Sequence, residues 1–142
     1  MESLETQIRA TADLPEYIQI RTLTETLEKF NSLGFDATKI AEQWAIGGTD
    51  YLTDQLIRPM KSRSPEVFNR LLRDRNRAWA NKIARFMEDS GTGFVAVGTA
   101  HLLGDESLLS ELREQGYAVQ RYYAFKGENL IETVDAKIER TR

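Results

Sequence analysis

Apolar residues recur at helical spacing through the first two-thirds of the chain. Pro15 suits the first turn of a helix, and Leu23, Leu27 and Phe30 then recur at helical spacing. Asp36 is a good N-cap for a shorter helix. Ser64-Pro65 is the clearest start signal, because a capping hydroxyl precedes a proline, and a long helical pattern follows. The pattern predicts four or five helices over residues 1–92.

The pattern changes after this helical region. Phe94–Val97 is a short, wholly apolar run between glycines, which suits a strand covered on both faces. Leu108 and Leu112 then mark a helix, and Tyr117–Tyr123 indicates a second strand. Strand, helix and strand in this order predict a right-handed βαβ unit with parallel strands. The tail that follows has apolar residues at helical spacing, although its first part could equally extend the sheet.

These elements predict a fold class of α+β to α/β. We expect a mainly helical region over 1–92 and a βαβ unit with a C-terminal tail over 93–142, together one domain. Because a sheet of two strands is marginally stable, this sheet needs further strands from a missing half of the protein or from a partner. The chain is therefore expected to be a fragment of a larger domain.

Composition excludes several classes of protein. The chain has 142 residues, of which 41% are apolar, and a net charge of -3, so a general nucleic-acid binder is not expected. We expect the arginine-rich face of the long helix to be exposed to solvent. No apolar run is long enough to span a membrane. The chain contains no cysteine, which excludes disulfides and thiolate chemistry, and its single histidine excludes sites built on several histidines of one copy.

His101 is the first candidate for chemistry. It follows the predicted strand Phe94–Val97 closely, at the carboxyl end where ligands bind in open α/β sheets. Gly98 would let the backbone turn closely at this point. Gly-x-x-His is a weak pattern when taken alone, and a lone loop histidine that only packs or forms a hydrogen bond is the more common case.

Arg75 and Asn76 are the second candidate. Five apolar residues of the long helix form one stripe, and at about 100° per residue these two polar residues flank its centre. Those residues are Phe68, Leu72, Trp79, Ile83 and Phe86. Buried polar groups need partners, so the pair would face a polar cavity or an ion partner. The alternative is a stripe that drifts, with Arg75 extending to solvent.

Together these pieces resemble one protein family. They stand in order along most of the chain, from Leu4 to Arg121. The motifs are Leu4-Glu5-Thr6, Leu72-x-x-Arg75-Asn76-x-x-Trp79, Phe94-Val95-Ala96-Val97-Gly98-Thr99-Ala100-His101-Leu102-x-Gly104 and Leu108-x-x-x-Leu112-x-x-x-Gly116-Tyr117-x-Val119. This set resembles the TraB/PrgY/GumN family, which includes the Tiki-type proteins proposed as metalloproteases. The ordered set is fairly specific, whereas any single piece is not.

The resemblance implies the carboxyl-terminal half of a metal-dependent, peptide-directed hydrolase. It implies that His101 is the second of two motif histidines and a metal ligand or general base. Arg75 and Asn76 would orient a carboxylate or a substrate carbonyl, and Glu5, otherwise a solvated first-turn acid, would support the site. The metal expected in the full-length protein is Mn²⁺, Co²⁺ or Zn²⁺, and bacterial relatives are often exported.

The N-terminal half of the family's domain normally carries a first Gly-x-x-His motif and further strands, and this sequence does not contain them. A hydrolytic metal site usually needs three protein ligands and an open position, so the chain alone is expected to be inactive. Two other interpretations remain at this point. One is a non-enzymatic module that binds a peptide or partner protein. The other is a structural fragment that forms homodimers through exposed sheet edges.

Overall fold

The computed structural model describes the backbone of residues 2–31, 36–89, 91–126 and 129–140 and the side chains of residues 2–28, 36–89 and 91–121. This part of the chain is mostly helical, as the sequence predicts. Its α-helices are α1 (Leu4–Ala12), α2 (Glu16–Asn31), α3 (Ala37–Ala45), α4 (Thr49–Leu52), α5 (Arg58–Arg63), α6 (Pro65–Phe68), α7 (Asp74–Phe86) and α8 (Leu108–Glu114). A 3₁₀ turn (Thr99–Leu102) precedes α8, and two strands, β1 (Tyr117–Lys126) and β2 (Asn129–Arg140), follow it.

Two pairs of these helices are continuous through π-helical turns. The turn Thr53–Ile57 joins α4 to α5, and the turn Asn69–Arg73 joins α6 to α7. Ser64 leaves helical geometry, with φ -136° and ψ 63°, and Pro65 then begins α6 as the start signal predicts. Because a π turn holds one residue more than an α turn, it rotates the side chains that follow it. It therefore contributes to which residues of α7 face inward.

The core that supports the candidate site lies between α7, α8 and the start of β1. Its buried members are Trp79, Ala80, Ile83, Leu108, Leu112 and Tyr117. A second cluster packs α4, α5 and α6 around Phe68 and Leu72, and a third joins α2 to α6. Phe86, which the apolar stripe includes, is instead 55% exposed at the end of α7. Leu112 is fully buried, so α8 is anchored firmly beneath the site.

The C-terminal part of the described chain is an antiparallel hairpin. Ser107 caps α8 by accepting a hydrogen bond from the backbone N–H of Ser110. Gly116, at φ 84°, turns the chain out of the helix into β1. β1 then pairs with β2, and Val119 stands opposite Ile138. Of the two alternatives for the tail, the structure has the strand.

The expected βαβ unit is not confirmed. Phe94–Val97, its predicted first strand, has no strand assignment, and the sheet of the described residues contains β1 and β2 alone. A strand forms only when a neighbouring segment exchanges backbone hydrogen bonds with it, and no described segment pairs with this run in that way. β1 pairs with the segment directly after it because closing so short a connection costs little chain entropy. The described fold is thus helical with one antiparallel hairpin, and a parallel α/β sheet is not confirmed.

Among the described residues, no helix combines the length and the apolar character that crossing a bilayer requires.

Candidate functional site

The 3₁₀ turn after the unpaired run holds His101 in place. The backbone N–H of His101 donates to the carbonyl of Gly98 at 2.9 Å, which closes the turn. The turn carries the imidazole inward, so that His101 is only 8% exposed. A loop histidine this deeply enclosed needs a polar partner for its ring, and α7 supplies one.

Asn76 is that partner, and its hydrogen bonds determine the tautomer of His101. The Nδ2 amide group donates to the backbone carbonyl of Glu106 at 2.7 Å, and a carbonyl can only accept. The amide Oδ1 therefore faces His101 Nδ1, 2.7 Å away, and Nδ1 must carry the hydrogen. Asn76 is 1% exposed, so this arrangement is fixed. In the neutral ring, Nε2 is left as the atom with a lone pair.

Trp79 stacks on the same imidazole. The two ring centroids are 4.4 Å apart with planes tilted by 43°. The guanidinium of Arg75 lies over the indole, 4.6 Å from its centroid, in a cation–π contact. Arg75, Trp79 and His101 thus form three layers. Each layer limits the rotation of the next, and α7 supplies two of the three.

The guanidinium of Arg75 is also paired with Glu2, which precedes α1. Arg75 Nη2 donates to Glu2 Oε2 at 2.8 Å, and Nε donates to the same oxygen at 3.2 Å. Arg75 Nη1 donates to the Leu71 carbonyl at 3.1 Å, so all three guanidinium nitrogens are engaged. The carboxylate side chain is 9% exposed, which makes this a half-buried ion pair.

Opposing effects act on the pKa of Glu2. Burial raises it, whereas the hydrogen bonds and charge of Arg75, with a smaller contribution from Lys82, lower it, and the net direction is down. The indole N–H of Trp79 has no partner at hydrogen-bond geometry among the described residues, although it lies close enough to the carboxylate to help lower this pKa. Glu2 is therefore an anion at neutral pH.

The same surroundings lower the pKa of His101 to about 4, chiefly because burial disfavours the charged ring. The positive charge of Arg75 lowers it further, and the carboxylate of Glu2 acts in the opposite direction. His101 is consequently neutral at physiological pH. Its Nε2 accepts no hydrogen bond from the described residues, so the lone pair is free for a proton or a Lewis acid.

Three of the four residues predicted for the site lie together, and one does not. His101, Asn76 and Arg75 form the cluster, whereas Glu5 pairs with Arg9 on the surface of α1 at 3.0 Å and is 72% exposed. Glu2 stands where a supporting acid was expected. Sequence reasoning missed it because Glu2 precedes the first helix, where no periodicity marks an inward side chain.

The described residues supply one candidate metal ligand rather than a complete set. A neutral imidazole with a free Nε2, oriented through Nδ1 by an amide oxygen, has the chemistry of a metal-binding histidine. Among the described residues, however, no group of three or more His, Cys, Asp or Glu lies close enough to hold a metal ion. His101 fits such an ion as one ligand, and further ligands would have to come from other residues.

Two cavities lie near this cluster. The larger has a volume of about 860 Å³, and its lining includes the apolar residues Leu52, Leu103 and Leu109 and charged residues such as Asp105 and Arg113. None of the four predicted site residues lines it. The smaller, of about 250 Å³, is bounded by Glu2, Gln7, Trp79 and Phe94–Val97. Because Glu2 and Trp79 belong to the layered cluster, this smaller cavity borders the candidate chemistry.

Comparison with known proteins gives one match. Neither the curated proteins nor the solved structures contain a match to this chain. A family description does match, over residues 1–121, which includes every residue of the cluster and the unpaired run beside it. That match covers most of the 142 residues and agrees with the ordered motifs from Leu4 to Arg121. The chain belongs to the TraB/PrgY/gumN family.

Proposed function

We propose that this chain supplies part of the active site of a metal-dependent, peptide-directed hydrolase, with His101 as a metal ligand. The observation that carries the proposal is the hydrogen bond from His101 Nδ1 to Asn76 Oδ1, which leaves Nε2 unprotonated and fixed in direction. Ligating histidines in metal sites have this form, with one nitrogen bound to the ion and the other donating to an oxygen.

Each neighbour of His101 has a defined role in this proposal. Asn76 fixes the tautomer and direction of His101, and Trp79 restrains the ring from one face. Arg75 helps to keep the imidazole neutral by its charge, and Glu2 balances that charge. A divalent ion bound at Nε2 would supply Lewis acidity and a nucleophilic water at neutral pH.

The role of Arg75 toward substrate is constrained by its contacts. Its three nitrogens already donate to Glu2 and to the Leu71 carbonyl. These contacts use one N–H on each nitrogen, so two of the five N–H donors of the guanidinium remain for a substrate carboxylate or carbonyl. We propose that Arg75 positions Trp79 and Glu2 and presents its remaining N–H groups to the substrate.

Because hydrolytic metal sites use three protein ligands, we propose that the chain is inactive by itself. Further ligands would come from other residues of a longer protein or from a second copy of this chain. The metals to test are Mn²⁺, Co²⁺ and Zn²⁺.

The test uses the fact that the chain has a single histidine. Long-range ¹H–¹⁵N spectra of the labelled protein report its tautomer and its response to metal without ambiguity. We expect the Nδ1–H tautomer, and on titration with Zn²⁺ a saturable shift confined to Nε2. In thermal melts, His101→Gln should abolish the Zn²⁺-dependent shift in Tm, whereas Glu5→Gln, which removes an exposed carboxylate, should retain it.

An Nε2–H tautomer, or a metal response that survives in His101→Gln, would refute the proposal. Metal-independent binding of peptides, combined with no response of the imidazole to metal, would instead favour the non-enzymatic binding module. A monomer–dimer equilibrium in sedimentation, with no peptide binding and no response of the imidazole to metal, would favour the structural fragment that dimerises.

A further inference from the structure

Trp44 is a large aromatic residue near the end of α3 that burial does not hold in place. It is 61% exposed, and none of the residues of α3 is buried. Hydrophobic burial therefore does not fix the position of this indole ring. Its N–H nonetheless donates to the hydroxyl oxygen of Thr99 at 2.7 Å, across 55 residues of the chain. This contact ties α3 to the turn that carries His101.

Thr99 is the first residue of that 3₁₀ turn. No side chain caps the turn, and Gly98 contributes its backbone carbonyl, which accepts from the N–H of His101. The run before the turn has no strand partner among the described residues. A short turn that follows an unpaired run has few hydrogen bonds of its own, and such segments open locally at low cost. The hydroxyl of Thr99 therefore anchors the start of the turn to the helical region.

Apolar packing on both sides of Thr99 does not replace this anchor. Val97 packs against the core between α7 and α8, and Ala100 packs against the second cluster, around Phe68 and Leu72. Apolar contacts are non-directional, so they leave the turn free to rotate. A hydrogen bond has a preferred direction, and this one holds the chain two residues before His101.

We propose that Trp44 is a positioning residue for His101, which acts through the hydroxyl of Thr99. This inference rests on the proposed function, since it concerns how Nε2 of His101 is directed at a metal ion. Asn76 and Trp79 hold the imidazole from α7, whereas Trp44 holds the backbone of the turn from α3. When Thr99 is released, the turn moves, and Nδ1 of the imidazole loses contact with Asn76 Oδ1 for part of the time.

Exchange of the Nδ1 hydrogen of His101 with water, measured by NMR at pH 7 without metal, reports this movement. A hydrogen bonded to Asn76 Oδ1 exchanges only when the ring moves away from that oxygen. Trp44→Phe removes the indole N–H and keeps an aromatic ring, and Thr99→Val removes the hydroxyl at nearly constant volume. We expect each variant to raise the exchange rate about fivefold or more. The double variant should raise it no further, because both changes break the same hydrogen bond.

Two control variants leave the hydrogen bond in place. Thr99→Ser keeps the hydroxyl, and Ile46→Val removes one methylene from a neighbouring residue that is 58% exposed. Both should change the exchange rate less than twofold. Circular dichroism of each variant establishes that it is folded, which we expect because Trp44 is exposed and Thr99 is only half-buried.

Three results would overturn the positioning role of Trp44. They are an unchanged exchange rate in Trp44→Phe and Thr99→Val, exchange in Thr99→Ser as fast as in Thr99→Val, and additive effects in the double variant. Failure of the proposed metal function is separable, because the exchange assay contains no metal. If Zn²⁺ shifts the Nε2 resonance while neither variant changes the exchange rate, the positioning role alone is wrong. If the exchange rate responds and Zn²⁺ has no effect, the metal function alone is wrong, and a ring hydrogen on Nε2 would refute both.

Discussion

Acid should destabilise this protein through His101. The folded protein holds its imidazole at a pKa of about 4, whereas the ordinary value is 6.5. Between these two pH values the unfolded chain binds a proton that the folded chain does not. Protonation therefore favours unfolding, and the stability contributed by the neutral imidazole is complete above about pH 6.5 and is lost as the pH falls toward 4.

The size of this loss of stability follows from the pKa values of the imidazole in the folded and unfolded chains. Integrating the difference in bound protons from pH 7 to pH 5 gives an upper limit of about 2 kcal/mol. His101 is 8% exposed whereas Asn76 is 1% exposed, so the imidazole keeps some contact with water. Allowing for solvent screening, we expect a loss of about 1 kcal/mol over this interval. That is a measurable fraction of the stability of a small domain.

Urea denaturation at pH 7 and at pH 5, of the unaltered chain and of His101→Gln, measures this loss. The glutamine side chain can still donate to Asn76 but does not titrate, and no other histidine contributes. We expect the pH-dependent loss to be smaller by about 1 kcal/mol in His101→Gln, the remainder coming from carboxylates. Equal losses in the two proteins, or an imidazole pKa near 6.5 by NMR, would refute the reasoning.

Two further predictions concern the residues that hold the site together. Asn76→Ala should lower the free energy of unfolding by about 2–4 kcal/mol, because it leaves His101 Nδ1 and the Glu106 carbonyl without partners in a buried place; a loss below 1 kcal/mol in urea denaturation would contradict the described network. Leu112→Ala, at a fully buried position, should cost about 2–5 kcal/mol, whereas Leu27→Ala, at a position that is 54% exposed, should cost less than about 0.5 kcal/mol. Similar losses for the two leucines would mean that the core beneath α8 is not as described.

The helical part of the fold and the polar pair on α7 could be predicted from the sequence. Both depend on the spacing of apolar and polar residues within a few turns of one helix. Helical periodicity and capping residues are signals that depend only on residues within a few positions of one another. Arg75 and Asn76 stood out because an apolar stripe should not contain them, and the structure gives each a partner. The π turn just before α7 has no comparable signal, since it follows from how the whole helix packs.

The unpaired run and Glu2 show where local reasoning ends. Phe94–Val97 has the composition of a strand, but a strand also requires a neighbour, and the described chain does not provide one. Glu2 joins the site through an ion pair with Arg75, 73 residues away along the chain. No pattern of a single sequence connects residues so distant, so the expected acid, Glu5, was three positions away from the one that the structure uses.

The layered contact between Trp79 and His101 gives the site an optical reporter of its own. The chain has two tryptophans, and their surroundings differ, because Trp79 is 5% exposed whereas Trp44 is 61% exposed. A buried indole emits at shorter wavelengths than a hydrated one, so the blue edge of the emission belongs mainly to Trp79. Because the two rings are in contact, we expect protonation of the imidazole to quench that indole. Events at His101 can therefore be followed in time by intrinsic fluorescence, in the unlabelled protein and at micromolar concentration.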